Sequence, residues 1–378
     1  MVLVGLVAGC GGSSTSQASS TQQSARDRAL TTSIDAALQQ SSIPGAIVGV
    51  WQEGKAPYVR SFGVRDTATR QPMATNLYQR IGSTSTSFVV TAVLQLVDQG
   101  KVGLDDPIDA YVPGVPDGPK ITIRQLAGMR SGLYKYSGDI VPKVVASDPQ
   151  RQWMPQQLLG ISFNHPLLFP PGTEFDYSDT NTILLGLVVE TASGQPLDAY
   201  IDQHILGPDH LAHTVYPTGA ALPAPHAEGY TNWTPQGLAQ PNRATLNATD
   251  WNPSWAGAAG AMISTLDDLR TWTRDLATGR LLKPTTQAQR MQFLPAPEAG
   301  AGAQYGLGIE NHGGWIGHSG NIAGYMTQPM YLPSQRMTMV VLVNSNADVS
   351  DFVKLTQAIT NIISPANPWP STAEPPGA

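Results

Sequence analysis

Read for the spacing of apolar and polar positions, the chain predicts an early helix near Asp27 to Gln40. Two strands follow, Ala46 to Gln52 and Pro57 to Val64, joined by the turn Glu53-Gly54-Lys55 as a β-hairpin. A second strand pair, Gly324 to Leu332 and Arg336 to Asn344, flanks Pro333-Ser334, and a helical pattern from about Val349 to Ile363 closes the sequence of elements. Strands at both ends with helices between them predict one sheet formed by the two ends of the chain. The stretch from about 102 to 255 carries helix-like pieces at 122–128, 180–193 and 196–205 among long loops, and reads as a mostly helical insertion in an α/β (α+β) domain. From Phe88 to Gly100 the chain is apolar on nearly every face and ends on a glycine suited to a left-handed cap, which predicts a buried central helix. Ser83 stands at its N-terminus, where unpaired amides and the helix dipole favour developing negative charge; the same position suits a plain N-cap.

Composition narrows the function. The 378 residues carry 22 Lys+Arg against 28 Asp+Glu, a formal charge of −6, which excludes an electrostatic nucleic-acid binder. At 41% hydrophobic the chain is able to bury a large core, while 13% charged residues, 37 Gly and 31 Pro make it loop-rich and lightly charged. The single cysteine, Cys10, excludes an intramolecular disulfide framework and a multi-cysteine metal site. Residues 1–10 form an apolar run ending in small residues, followed by a Ser/Thr/Gln-rich stretch. The run resembles a bacterial lipobox cut before Cys10, with residues 1–9 a signal remnant and 10–27 a flexible linker. The basic residues that precede such a run are absent, which implies a true start upstream. A lipidated Cys10 would hold the protein outside the cytoplasmic membrane. The folded domain is then about 28–364, and 365–378 is a proline-rich tail.

Three short strings recur in a telling order: Arg80-Ile-Gly-Ser83-Thr-Ser-Thr86, Tyr177-Ser178-Asp179 and Gly317-His318-Ser319-Gly320. With Leu126 to Leu133, Ala259 to Leu269 and Tyr305 to Gly308 between and around them, the chain resembles the serine β-lactamase and D,D-peptidase superfamily over roughly 30–364. The resemblance is closest to class C β-lactamases, D-alanyl-D-alanine carboxypeptidases and related esterases. It implies acyl transfer through Ser83, with the amides of Ser83 and Asn321 as oxyanion donors and Tyr177 as base and proton shuttle. His318 would hydrogen-bond the tyrosine or a substrate carboxylate. Asp179, where asparagine is usual, would orient a substrate amide, beside the strand segment Ser319, Gly320 and Asn321. It implies no cofactor and no metal; the partners are a small peptide, β-lactam or ester substrate and, through Cys10, a membrane.

The family lysine, three residues after the serine, is Thr86 here. A threonine hydroxyl is no base near neutral pH, and losing general-base assistance costs about 10² to 10⁴ in rate. A working hydrolase, a catalytically silent binder of cell-wall peptides and an esterase therefore all stay open. His204, His210 and His213 read as loop histidines rather than a metal site. Asp105-Asp106 and Asp267-Asp268 read as turn or helix-start residues, and Trp233, Trp251 and Trp255 as packing for the insertion.

Overall fold

The computed structural model describes residues 14–239 and 246–370; Cys10 and 371–378 lie outside them. Helix α1 (Ser14–Gln39) is followed by β1 (Gly45–Gln52) and β2 (Tyr58–Gly63). The middle of the chain supplies α2 (Thr84–Asp98), α3 (Asp179–Ser193) and α4 (Leu266–Thr278). Seven further strands come late: β3 (Leu294–Pro295), β4 (Gln304–Tyr305), β5 (Glu310–His312), β6 (Trp315–Gly317), β7 (Gly320–Ile322), β8 (Tyr325–Leu332) and β9 (Met337–Val343). Helix α5 (Val349–Ile363) ends the domain. Among the described residues nine strands form one antiparallel sheet in the order β2-β1-β9-β8-β6-β5-β4-β3, with β7 paired to β8.

The two ends of the chain meet where β1 lies antiparallel to β9, Ala46 opposite Val343 and Gln52 opposite Met337. Strand β9 is apolar at almost every position because both faces of the sheet are covered. Met337, Met339, Val341 and Val343 face α1 and α5 with Leu30, Ile34, Phe352 and Ile359. Val340 and Leu342 face the other layer, where α2 and α4 pack. There Phe88 stacks on Trp272 with centroids 3.8 Å apart. Each such fully buried side chain contributes about 1.5–3 kcal/mol, and α2 is buried along most of its length, with Gln95, Val97 and Asp98 half-buried near its end. Its hydroxyls are answered internally: Ser87 accepts from the Trp272 indole at 2.9 Å and donates to the Thr84 carbonyl at 2.6 Å.

Two expectations change. Helix α1 begins at Ser14, so 14–27, expected as a flexible linker, is helical; Gln23 bonds both Asp27 and the Ala56 carbonyl. The start of the proline-rich tail is packed: Trp369 is buried and donates its N–H to Thr360, and Trp315 donates to the Asn367 carbonyl. The insertion is helical as expected, with short helices including Ile123–Ala127, Pro155–Phe163 and Leu197–Ile201. It also carries two-residue ribbons such as Tyr230–Thr231 with Leu246–Asn247. Among the described residues no helix is long and apolar enough to cross a membrane.

Candidate active site

Ser83 is set by the turn that enters α2. Gly82 sits at φ +52°, where a Cβ would come 2.6 Å from the Asn321 nitrogen, so glycine is required. Ser83 is buried, and the amides of Thr84, Ser85 and Thr86 bond back to Ile81, Gly82 and Ser83. The Ser83 amide finds no backbone acceptor among the described residues.

The partner donor comes from β7. The hairpin pairs Ile322 with Tyr325 and Asn321 with Met326. A two-residue loop makes Ile322–Tyr325 the hydrogen-bonded pair, so by alternation the Asn321 N–H points away from β8, toward Gly82 and Ser83. The close packing is visible at Gly320 too, where a Cβ would lie 2.0 Å from the Ile81 carbonyl. Thr84 Oγ1 donates to the His318 carbonyl at 2.9 Å and staples the two segments together. Between β6 and β7 the ladder to β8 lapses at His318-Ser319, opposite Pro329, which has no N–H to give. That break releases His318 and Ser319 for side-chain chemistry.

On the helical side Tyr177 and Asp179 flank the start of α3. Thr86 occupies the lysine position, and its Oγ1 lies 3.2 Å from the Tyr177 hydroxyl and 3.4 Å from Thr182 Oγ1. Burial, then the charge of Asp179, pushes the Tyr177 phenol far above its ordinary range, against the pull of hydrogen bonds from Thr86 and Ser83. Tyr177 is thus a neutral hydroxyl at physiological pH, able to relay a proton and unable to act as a resting phenolate. Asp179 accepts from Ser137 Oγ at 2.6 Å. Just before them, burial and neighbouring Glu298 raise Asp176 to about 7.

On the strand side His318 does not reach Tyr177; their ring centroids are 6.0 Å apart. Its Nδ1 faces two acceptors, the Ser319 carbonyl at 2.8 Å and Glu310 Oε1 at 3.3 Å, so Nδ1 carries the proton. Nε2 then accepts from the Tyr305 hydroxyl at 2.8 Å. The tyrosine that His318 bonds is Tyr305 rather than Tyr177. Burial holds its pKa below the usual histidine value, against the pull of Glu310. Glu310, fully buried on β5, also accepts from Ser319 Oγ at 2.9 Å and lies 3.1 Å from His312 Nε2. Burial works to raise its pKa, but the two histidines and the Ser319 amide prevail and hold the carboxyl below its ordinary range. Sequence reasoning missed Glu310 and His312 and gave Tyr305 no role beyond its supporting string; the alternation Glu310-Asn311-His312 before the His318 motif is the signal that was there to be read.

Ser83, Ser137, Asp179, Trp255, Ala259 and Asn321 line a recess of about 10 Å³, room for about one water. Trp255 therefore both packs against Trp233, at 5.5 Å, and walls the recess. Asp105 pairs with Arg124, and Asp268 accepts from the His213 amide and Thr214 in the first turn of α4. Among the described residues no group of three His, Cys, Asp or Glu is placed to hold a metal ion.

Residues 30–362 match the Beta-lactamase family model, and the chain belongs to that family. It is 25% identical to Protein flp of Staphylococcus aureus (strain COL) over 84% of this chain and 63% of that protein. It is 28% identical to a D-aminopeptidase of Brucella anthropi over 82% of this chain and 57% of that one. The chain thus spans less than two thirds of the length of these curated relatives. A D-stereospecific amidohydrolase from Streptomyces sp. superposes with a TM-score of 0.78 at 28% identity, covering 89% of this chain and 98% of that one.

Proposed function

We propose that this member of the Beta-lactamase family is a serine hydrolase that forms an acyl-enzyme on Ser83 from a small amide or ester. The reading rests on one observation: Ser83 at the head of α2, between its own free amide and the outward amide of Asn321, with the neutral Tyr177–Thr86 pair beside it. Ser83 Oγ attacks the acyl carbon. Its proton passes to the Tyr177 oxygen as the Tyr177 proton moves to the departing atom, and the two amides hold the oxyanion. Water then enters by the same relay in reverse and frees the acid. With no lysine to strengthen the base, good leaving groups are favoured, so esters and strained or activated amides outpace plain peptides.

Where asparagine would offer an N–H, the Asp179 carboxylate offers acceptors, which suits a substrate with N–H or ammonium donors near the scissile carbonyl. Similarity to a D-aminopeptidase and a D-stereospecific amidohydrolase agrees with a D-configured aminoacyl amide or ester. The apolar run before Cys10 and the polar stretch after it support a lipid-anchored, extracytoplasmic protein. A second reading, a binder without turnover, is favoured by Thr86 and by a phenol held neutral.

Intact mass after incubation with a fluorescent penicillin, for the native protein and Ser83→Ala, separates them. A single acyl adduct lost in Ser83→Ala supports the hydrolase; no adduct with penicillin or with activated D-aminoacyl esters supports the binder.

A further inference from the structure

Beside the recess lies a separate cavity of about 430 Å³, within the size range of pockets that hold small molecules. One wall is shared. The turn 253–261 presents Trp255 and Ala259 to the recess but Pro253 and Ala258 to the cavity, and α3 gives Asp179 to the first and Ile183 to the second. The cavity is chiefly apolar: Ile183 and Leu187, one turn apart on α3, line it together with Trp153 and Leu158. Its charged lining is two carboxylates, Glu190 and Asp198, and no Lys or Arg lines it. Arg151, nearby in the chain, is placed over the Trp153 ring, 3.7 Å from its centroid. Glu190 Oε1 accepts from the Leu197 amide at 3.2 Å. Among the described residues no hydrogen bond engages its other oxygen or the Asp198 carboxylate. The field of both carboxylates reaches inside, since after burial they are what raises the phenol of Tyr216, another lining residue.

We propose that this cavity is a second binding site, for a compact apolar primary amine. Its hydrocarbon lies against Trp153, Leu158 and Ile183, and its ammonium pairs with Glu190 and Asp198. Neither a carboxylate nor a neutral hydrocarbon satisfies both halves of the lining, because one is repelled and the other leaves the acidic side unanswered.

Isothermal titration of the full chain with 2-phenylethylamine tests this, with 3-phenylpropanoate as the charge-reversed probe. The expected result is saturable one-to-one binding of the amine, about tenfold or more tighter than the carboxylate. Glu190→Gln with Asp198→Asn weakens the amine by about tenfold, while Asp179→Asn, which neutralises the recess, changes it by less than about twofold. Should the double variant melt early, Glu190→Gln alone is read. Absent saturation, equal binding of the two probes, or a loss that follows Asp179→Asn instead of the double variant would overturn the proposal.

Discussion

The two flanks of Ser83 have been treated differently. On the strand flank the charge is answered: Glu310 sits among His312, His318 and Ser319, and His318 hands on to Tyr305. On the helical flank the family's cation is absent, and Thr86, Thr182 and Tyr177 form a chain of neutral hydroxyls beside the carboxylate Asp179. One flank is a rigid charged brace, the other an uncharged relay. A buried tyrosine next to a carboxylate loses acidity unless a cation compensates, so the substitution at one position resets the chemistry of its neighbour without disturbing the scaffold.

Restoring the cation is the strongest way to erase the contrast. Thr86→Lys is expected to raise the rate of acylation of Ser83 by about 10² to 10⁴, measured by stopped-flow with a chromogenic cephalosporin. Damaging the brace instead has a smaller effect on rate and a clear one on stability. Glu310→Gln is expected to cost about 3 kcal/mol in chemical denaturation and about tenfold in acylation through a misoriented His318. The sign with pH follows. Folded Glu310 titrates below its unfolded value, so its stabilisation is present above that value and fades as pH falls through the folded one; His318, held neutral, is charged sooner in the unfolded chain. Both make the native protein lose stability on acidification from about pH 6.5, and Glu310→Gln flattens the lower part of that loss.

Asp179→Asn should cut the preference for substrates with a free amine over their N-acylated forms by about tenfold, read as a ratio of kcat/KM. The mildest change is Asp176→Asn. Folded Asp176 titrates near 7, so its contribution is fully present below its unfolded value and is lost as pH rises through 7. The variant should gain about 0.5 kcal/mol above pH 7 after solvent screening, a gain that shrinks as pH falls and vanishes below about pH 4.

How much of this was legible in the chain divides along the same line. Long periodic segments were readable: β1, β9 and α5 lie within a residue or so of their expected ends, because burial on both faces writes long apolar runs. Ser83, Tyr177, Asp179 and Asn321 were reached through the family resemblance of their motifs, and they do converge on one recess or touch its lining. The brace was not readable. Strands β3 to β7 are two or three residues long, too short to show a period. Glu310 gains its meaning from a hairpin that folds it back on residues eight and nine further along, a contact no local pattern announces. The helical start of α1 was masked for a related reason: a Ser/Thr/Gln-rich stretch has no apolar stripe to betray it.

The central claim is that the native protein transfers acyl groups to Ser83 through a neutral relay, with no titrating base. The direct measurement is the pH dependence of acylation by an activated N-acylated D-aminoacyl ester, which carries no titrating amine of its own, followed for the native protein and Thr86→Lys. The account predicts a native rate constant that is level between about pH 6.5 and 9, and a rising basic limb only in Thr86→Lys, whose amine must lose a proton to act. A native rate that climbs tenfold per pH unit across neutrality would reveal a titrating base, and would contradict the account.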